Sequence, residues 1–236
     1  MATTNLLCVT VLLLVSMCVD RTQSQCPGGC YCQTSTQVSC VNNNVCPQSL
    51  PAAFTSVSLT NSNNCGSQID RAAFSALTSL TTIRIAGFSG YQVVMDHAFA
   101  DTQLSELTIT DTPLQSFYPG SLSGLSKLTT LDLSNNAISV LPDNLFQDLG
   151  QLTRLLLHSN KLAYLSDNIF TGLSKLTTLD LTNNSIGSCR LFHTVFQPRV
   201  NHLHLHQKPA DHFNPRLDWS IYIILPLRVD HCSTLC

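Results

Sequence analysis

His202, His204 and His206 alternate along the chain. On a strand, where successive side chains point to opposite faces, that alternation sets three imidazoles on one side. Two neutral imidazoles so placed could share a zinc ion. No carboxylate or cysteine is expected beside them by register, so they read as exposed histidines of a degenerate terminal repeat. No metal or other cofactor is expected. Asp132 and Asp180 form the second pair with catalytic types, 48 residues apart. If every 24 residues return one strand of a stack, their carboxylates lie about 10 Å apart, at the far edge of acid–base spacing in inverting glycosidases. The intervening Leu156 offers no support, and both read as solvated aspartates. No nucleophile elbow, zinc-protease helix, phosphate loop or dinucleotide fingerprint is present, so the chain is not expected to be an enzyme. Asn183-Asn184-Ser185 is the one standard N-glycosylation sequon, which makes Asn183 the candidate attachment site.

The cysteines carry a different chemistry. Residues 6–19 form an apolar run that suits a signal-peptide core and is too short for a membrane span. A signal peptide is expected over residues 1–24, with cleavage near Ser24–Gln25, and the product is expected to be secreted. Of eleven cysteines, Cys8 and Cys18 would leave with it, and nine would enter an oxidising compartment where disulfides persist. Nine is odd, so at least one thiol is free, bridged between chains, or in an irregular segment. The later run Ser220–Val229 is short and broken by Pro226 and Arg228, which reads as a buried strand or apolar tail. No membrane span is expected. Charged residues make up 11% and the net charge is −2, without a basic run, which disfavours a nucleic-acid partner.

What must position all these residues is a repeat. Leu128-x-x-Leu131-x-Leu133-x-x-Asn136-x-Ile138 recurs at Leu152–Leu162 and again at Leu176–Ile186, in a strict 24-residue register. That pattern marks a leucine-rich repeat, in which each unit is one strand and a return arm. No unit can bury its own leucines, and stacked neighbours bury them together. The register extends back through Leu104, Leu80 and a looser unit from Phe54, and forward to Val200. The position-nine Asn136, Asn160 and Asn184 are expected to bond backbone groups of the neighbouring turn. Ser62, Phe88, Thr112 and Lys208 are expected to interrupt that ladder. Phe74/Leu77, Leu122/Leu125, Phe146/Leu149 and Phe170/Leu173 supply the apolar half of the return arms.

Cys26-x3-Cys30-x-Cys32-x7-Cys40 precedes the repeats. Together with them it resembles the cysteine-rich amino-terminal cap of extracellular leucine-rich repeat proteins, a family that includes variable lymphocyte receptors, Toll-like receptors and Slit-type neuronal proteins. The resemblance covers residues 26–186 and implies Cys26–Cys32 and Cys30–Cys40 bridges. If Val38 and Cys40 fill inward strand places, Cys46 and Cys65 occupy matching positions of successive turns. At about 4.8 Å between strands they are within disulfide reach. The expected organisation is a signal peptide over 1–24 and a cap over 25–53. Repeats follow over 54–186, and 187–236 holds a divergent last repeat with an atypical cap or tail. The usual Asn-Pro-Trp-x-Cys-x-Cys ending is absent: Asn214-Pro215 is followed by Arg216, and Cys189, Cys232 and Cys236 have no recognisable spacing. Those last residues read equally as a divergent cap, a truncated product or a tail from another reading of the gene.

The expected fold is therefore an α/β-type leucine-rich repeat solenoid, with a curved parallel sheet on its concave face and irregular or short helical convex arms. Its concave face is readable as columns. Thr82, Glu106, Thr130, Arg154, Thr178 and His202 form one; Arg84, Thr108, Asp132, Leu156, Asp180 and His204 the next; Ala86, Thr110, Ser134, His158, Thr182 and His206 the third. The expected ligand surface comprises Arg84, Glu106, Thr108, Asp132, Arg154, Leu156, His158 and Asp180, with Arg154, Leu156 and His158 at its centre. The face is expected to lack a large aromatic anchor. The resemblance implies recognition of an extracellular protein or glycan, in innate or adaptive-like immunity. The alternative is an adhesive or matrix protein bridging partners. The oligomeric state stays open.

Overall fold

The computed structural model describes residues 30–41, 50–61, 66–166 and 168–186, and the backbone of 202–205 and 221–224. Its amino-terminal strands are β1 (Cys30–Thr34), β2 (Gln37–Val41), β3 (Ser56–Thr60), β4 (Gln68–Ile69), β5 (Thr82–Ala86), β6 (Val93–Val94) and β7 (Glu106–Thr110). There follow β8 (Ser116–Phe117), β9 (Thr130–Asp132), β10 (Arg154–Leu156), β11 (Thr178–Asp180), β12 (His202–Leu205) and β13 (Ile221–Ile224). One turn of helix, α1 (Arg71–Phe74), is capped by Asp70, whose carboxylate accepts from the Ala73 N–H.

Ten strands form one sheet in the order β1-β2-β3-β5-β7-β9-β10-β11-β12-β13. From β2 to β12 the neighbours are parallel and advance one repeat at a time, Glu106 beside Thr130, then Arg154, then Thr178. The solenoid expected from the 24-residue register is what forms. Each strand exists because alternate Leu, Ile or Val side chains find the same residue types one turn away. Val57, Ile83, Leu107, Leu131, Leu155 and Leu179 are all sealed from solvent in one continuous core. Both ends of the parallel run turn back on themselves: β1 pairs antiparallel with β2, and β13 with β12. The segment around Ile221 thus adds a strand.

At the amino end Val38 and Cys40 fill inward places, in register with Val57 and Leu59. Cys30 and Cys40 are joined by a disulfide, and Cys32 is also disulfide-bonded. Outside the described residues lie the signal segment, Cys26, Cys46, Cys65, Ser62, Cys189, His206, Lys208, Cys232 and Cys236. The expected Cys46–Cys65 bridge and the ending of the chain lie there too.

The return arms, expected to be irregular or short helical, take the irregular form almost throughout. Among the described residues only α1 is α-helical, and the other arms are turns. Beneath them β4, β6 and β8 form a second, three-stranded parallel sheet. A 24-residue unit spends its length on a strand, a tight exit and a return, which leaves little room for a hydrogen-bonded helix. Phe74, Phe146 and Phe170 fill the arm core as expected, and Phe99 joins them. Phe99 packs on Phe74 at 5.3 Å between ring centroids, and Phe146 stacks on Phe170 at 6.4 Å. In the Phe99 arm, the place of Leu77 and Leu125 is taken by Thr102, whose buried hydroxyl donates to the Phe99 carbonyl at 2.7 Å.

The asparagine ladder forms as expected, and further than expected. Asn136 Nδ2 donates to the Ile109 and Leu133 carbonyls at 2.7 and 2.9 Å, so one side chain binds two successive turns. Asn184 does the same for Leu157 and Leu181. Thr112 does not interrupt this ladder. It is buried, its hydroxyl donates to Asn136 Oδ1 at 2.7 Å, and its N–H donates to the same oxygen at 3.0 Å. Phe88 does replace the polar rung. It is buried and stacks on Tyr91, with centroids 5.0 Å apart and planes 7° apart.

Burial, helped by the nearby Asp70 carboxylate, pushes the Tyr91 phenol well above the ordinary tyrosine value. The folded state therefore favours the neutral ring. Its contribution is fully present below a pH of about 10, the value for an unfolded tyrosine, and is lost as pH rises beyond it. Tyr91→Phe cannot ionise, and is expected to flatten the fall in stability above that pH. Identical alkaline unfolding profiles for the two proteins would refute this.

Candidate recognition face

Alternation along each strand leaves one set of side chains on the open face of the large sheet. The sheet's register stacks the three columns as the sequence arranged them, apart from His206, which lies outside the described residues. Leu156 has Asp132 as its neighbour on one side and Asp180 on the other. Arg154 stands between Thr130 and Thr178. Arg84 and Thr108 are neighbours in the same column as Leu156, and Glu106 sits beside Thr82 in the column of Arg154. Arg84, Glu106 and Arg154 are exposed; Thr108, Asp132, Leu156, His158 and Asp180 are half-buried.

The two aspartates are held as turn caps. Asp132 Oδ1 accepts from the Ser134 N–H at 3.0 Å and from the Ser134 hydroxyl at 2.6 Å. Asp180 Oδ1 accepts from the Thr182 N–H at 2.9 Å. Asp-x-Ser and Asp-x-Thr are local turn formers, and that signal was present in the sequence. The caps fix the direction of both carboxylates, which gives Leu156 a rigid acidic border.

Among the described residues the single ion pair is Arg71–Asp101, on the arms and away from this face. There two guanidinium nitrogens donate to the two carboxylate oxygens at 2.7 Å each, and the hydrogen bonds hold Asp101 below the usual carboxylate range. Arg84 and Arg154 have no such partner among those residues, so their charges face solvent. His158 is tied only loosely, Nδ1 lying 3.3 Å from the Ser159 hydroxyl.

Two features were legible in the sequence and missed. Position two of each unit is Thr or Ser, and these hydroxyls form a second ladder at the strand entries. Thr81 donates to the Thr55 carbonyl at 3.0 Å, Thr129 to Ser105 at 2.9 Å, Thr153 to Thr129 at 3.0 Å and Thr177 to Thr153 at 3.0 Å. Position eight is left-handed in every described unit: Asn61, Gly87, Asp111, Asn135, Ser159 and Asn183 all have φ between 54° and 67°. Apart from Ser159, that column is Asn, Asp and Gly, the residues that most readily take positive φ.

The expected absence of an aromatic anchor is corrected by β1. Cys30 and Cys32 pack against the core, so Tyr31 between them faces the open side, and it is 69% exposed. Its strand partner is Ser39, which places it at the end of the Arg84–Leu156 column. The hairpin returns the chain beyond the first repeat, which leucine spacing could not reveal.

The expectation of no carboxylate beside the terminal histidines is also corrected. Asp180 is the register neighbour of His204, with Thr178 beside His202. Only the backbone is described at both histidines, and Asp180 Oδ1 is already engaged by Thr182. No group of three potential metal ligands occurs among the described residues. Asn183 is exposed at its left-handed turn, with Nδ2 donating to the Ser159 hydroxyl at 3.0 Å. It lines an open polar cleft of about 420 Å³ with Ser159, Lys161 and Ser185. No helix among the described residues is long and apolar enough to cross a membrane.

A family model described as leucine rich repeat matches residues 102–162 and 151–207. Those spans contain the three regular units and the preceding one, to which Asn136 is bonded. No curated protein matches the chain.

Proposed function

From the premise that this chain is a leucine-rich repeat solenoid, we propose that it is a secreted recognition protein, binding an extracellular protein or glycan through the open, concave face. Such solenoids serve in general as protein-binding scaffolds, and their curvature offers an extended surface to a partner. The observation that carries the reading is the centre of the face. Leu156 is bordered by two carboxylates whose direction is fixed, with the unpaired Arg154 on the same strand. An apolar contact ringed by oriented charges is the arrangement that gives an interface both affinity and selectivity. The surface is non-catalytic on this reading, and immune-type recognition is its setting.

The test is a binding screen of the secreted chain against extracellular proteins and microbial glycans, with an Arg154→Ala/His158→Ala double variant as control. Both side chains stand on the solvent side of the sheet, so the variant should keep the wild-type melting temperature. Its affinity for any ligand found should fall by about tenfold or more, as for truncation of a central interface residue. Unchanged affinity would remove the centre of the face from the site. A stable dimer that buries this face, detected by light scattering, would favour an adhesive or matrix role instead.

A further inference from the structure

The geometry points to a subsite for a carboxylate-bearing oligosaccharide at the amino-terminal end of the open face, running from Tyr31 to Arg84. The inference rests on the reading of that face as the ligand surface and names the ligand for one end of it. The register runs Tyr31, Ser39, Ser58, Arg84 across four neighbouring strands. Three strand spacings put the backbone positions of Tyr31 and Arg84 about 14 Å apart, the span of a short oligosaccharide.

The chemistry between these two ends is neutral and rich in hydroxyls. Gln37, Ser56 and Thr82 fill the adjacent column, and Ser39 and Ser58 the central one, so no charge stands between Tyr31 and Arg84. A pyranose ring presents C–H bonds on one face and hydroxyls around its edge. An exposed tyrosine offers the C–H face an electron-rich ring at small entropic cost, because only two torsions must be frozen. Serine and glutamine side chains both donate and accept, which matches sugar hydroxyls.

Arg84 sets the sign of the ligand. It is exposed, and it enters no ion pair among the described residues. Its planar fork fits a carboxylate with two parallel hydrogen bonds. The next charge along the sheet is Glu106, offset by one column on the following strand. A ligand carboxylate is repelled there, so the acidic sugar should end at Arg84 rather than continue toward Leu156.

The test is isothermal titration of the secreted chain with a glucuronic-acid-terminated trisaccharide, the methyl ester of the same trisaccharide, and a glutamate-rich peptide. The acid should bind, and the ester should bind about tenfold more weakly, in line with the loss of a charge-assisted bidentate contact. Tyr31→Ala should lower affinity for the acid by a similar factor, while Tyr31→Phe, which keeps the ring, should stay near wild type. Arg84→Gln should bind acid and ester alike. Arg154→Ala/His158→Ala should leave the trisaccharide titration unchanged. Silence toward the acid at millimolar concentration, or equal binding of acid and ester by the wild type, overturns the proposal. So does binding of the peptide alone. A trisaccharide that fails while the central double variant still loses another ligand sinks this subsite and leaves the recognition reading standing. The opposite outcome separates the two in the other direction.

Discussion

Replacing Asn160 by alanine is expected to destabilise the fold by about 3–5 kcal/mol, on the order of a buried polar network broken in one stroke. The side chain is 8% exposed and makes four contacts within hydrogen-bond distance. Its Nδ2 lies 2.9 Å from the Leu133 carbonyl, 3.0 Å from Leu157 and 3.3 Å from His158, while Oδ1 accepts from the Ile138 N–H at 3.1 Å. Leu133 and Leu157 keep a second donor from Asn136 and Asn184. Ile138 does not: its buried amide would lose its acceptor, which alone costs about 1–3 kcal/mol. Because two of the contacts cross to the preceding turn, the damage falls on the interface between repeats, where a solenoid's stability resides. Asn160→Asp should be at least as harmful, since a carboxylate oxygen would face three carbonyls where a donor now stands. Equilibrium unfolding in urea measures both. A loss for Asn160→Ala below about 1 kcal/mol, the worth of one ordinary hydrogen bond, would show that the ladder is dispensable.

The second large effect belongs to the opposite wall of the core. Phe146 is fully buried and stacked on Phe170. Phe146→Ala removes the ring's burial and leaves a cavity that the packed turns cannot close, so a loss of about 3–5 kcal/mol is expected. The same column offers its own control. Leu122 occupies the equivalent place one turn earlier and is sealed just as well. Phe146→Leu should therefore lose less than about 1.5 kcal/mol, as a near-conservative apolar exchange. If alanine and leucine prove equally mild in thermal unfolding, the arm is plastic and the aromatic column is not what holds the turns together.

These two predictions show how unevenly the structure could be read from the sequence. Asn160 announced itself, because a polar residue at a fixed place among leucines has few reasons to be there other than backbone bonds. Phe146 did too, by its spacing from Leu149. Phe99 did not, because its arm is shifted by a residue and Thr102 stands where the marker leucine should be. Thr112 was misread as a gap because its type differs from Asn, although a hydroxyl can both donate and accept. The return arms were legible only as irregular or short helical, and the short repeat leaves room for one turn of helix among the described residues.

The leucine spacing alone sets the period, the inward and outward assignment of residues in the repeat strands, and hence the columns in which Arg154, Leu156 and His158 fall. Those follow from a strand's alternation and from leucines that must meet their own kind one turn away, both of which are local rules. Only the tertiary structure decided what lies beyond the repeat. The antiparallel turn of β1 swings Tyr31 onto the open face, β13 pairs back against β12 at the other end, and β4, β6 and β8 join into a second sheet beneath the arms. Each depends on which strand edge pairs with which, and in which direction. A one-dimensional period cannot specify that, because pairing is a contest between whole surfaces.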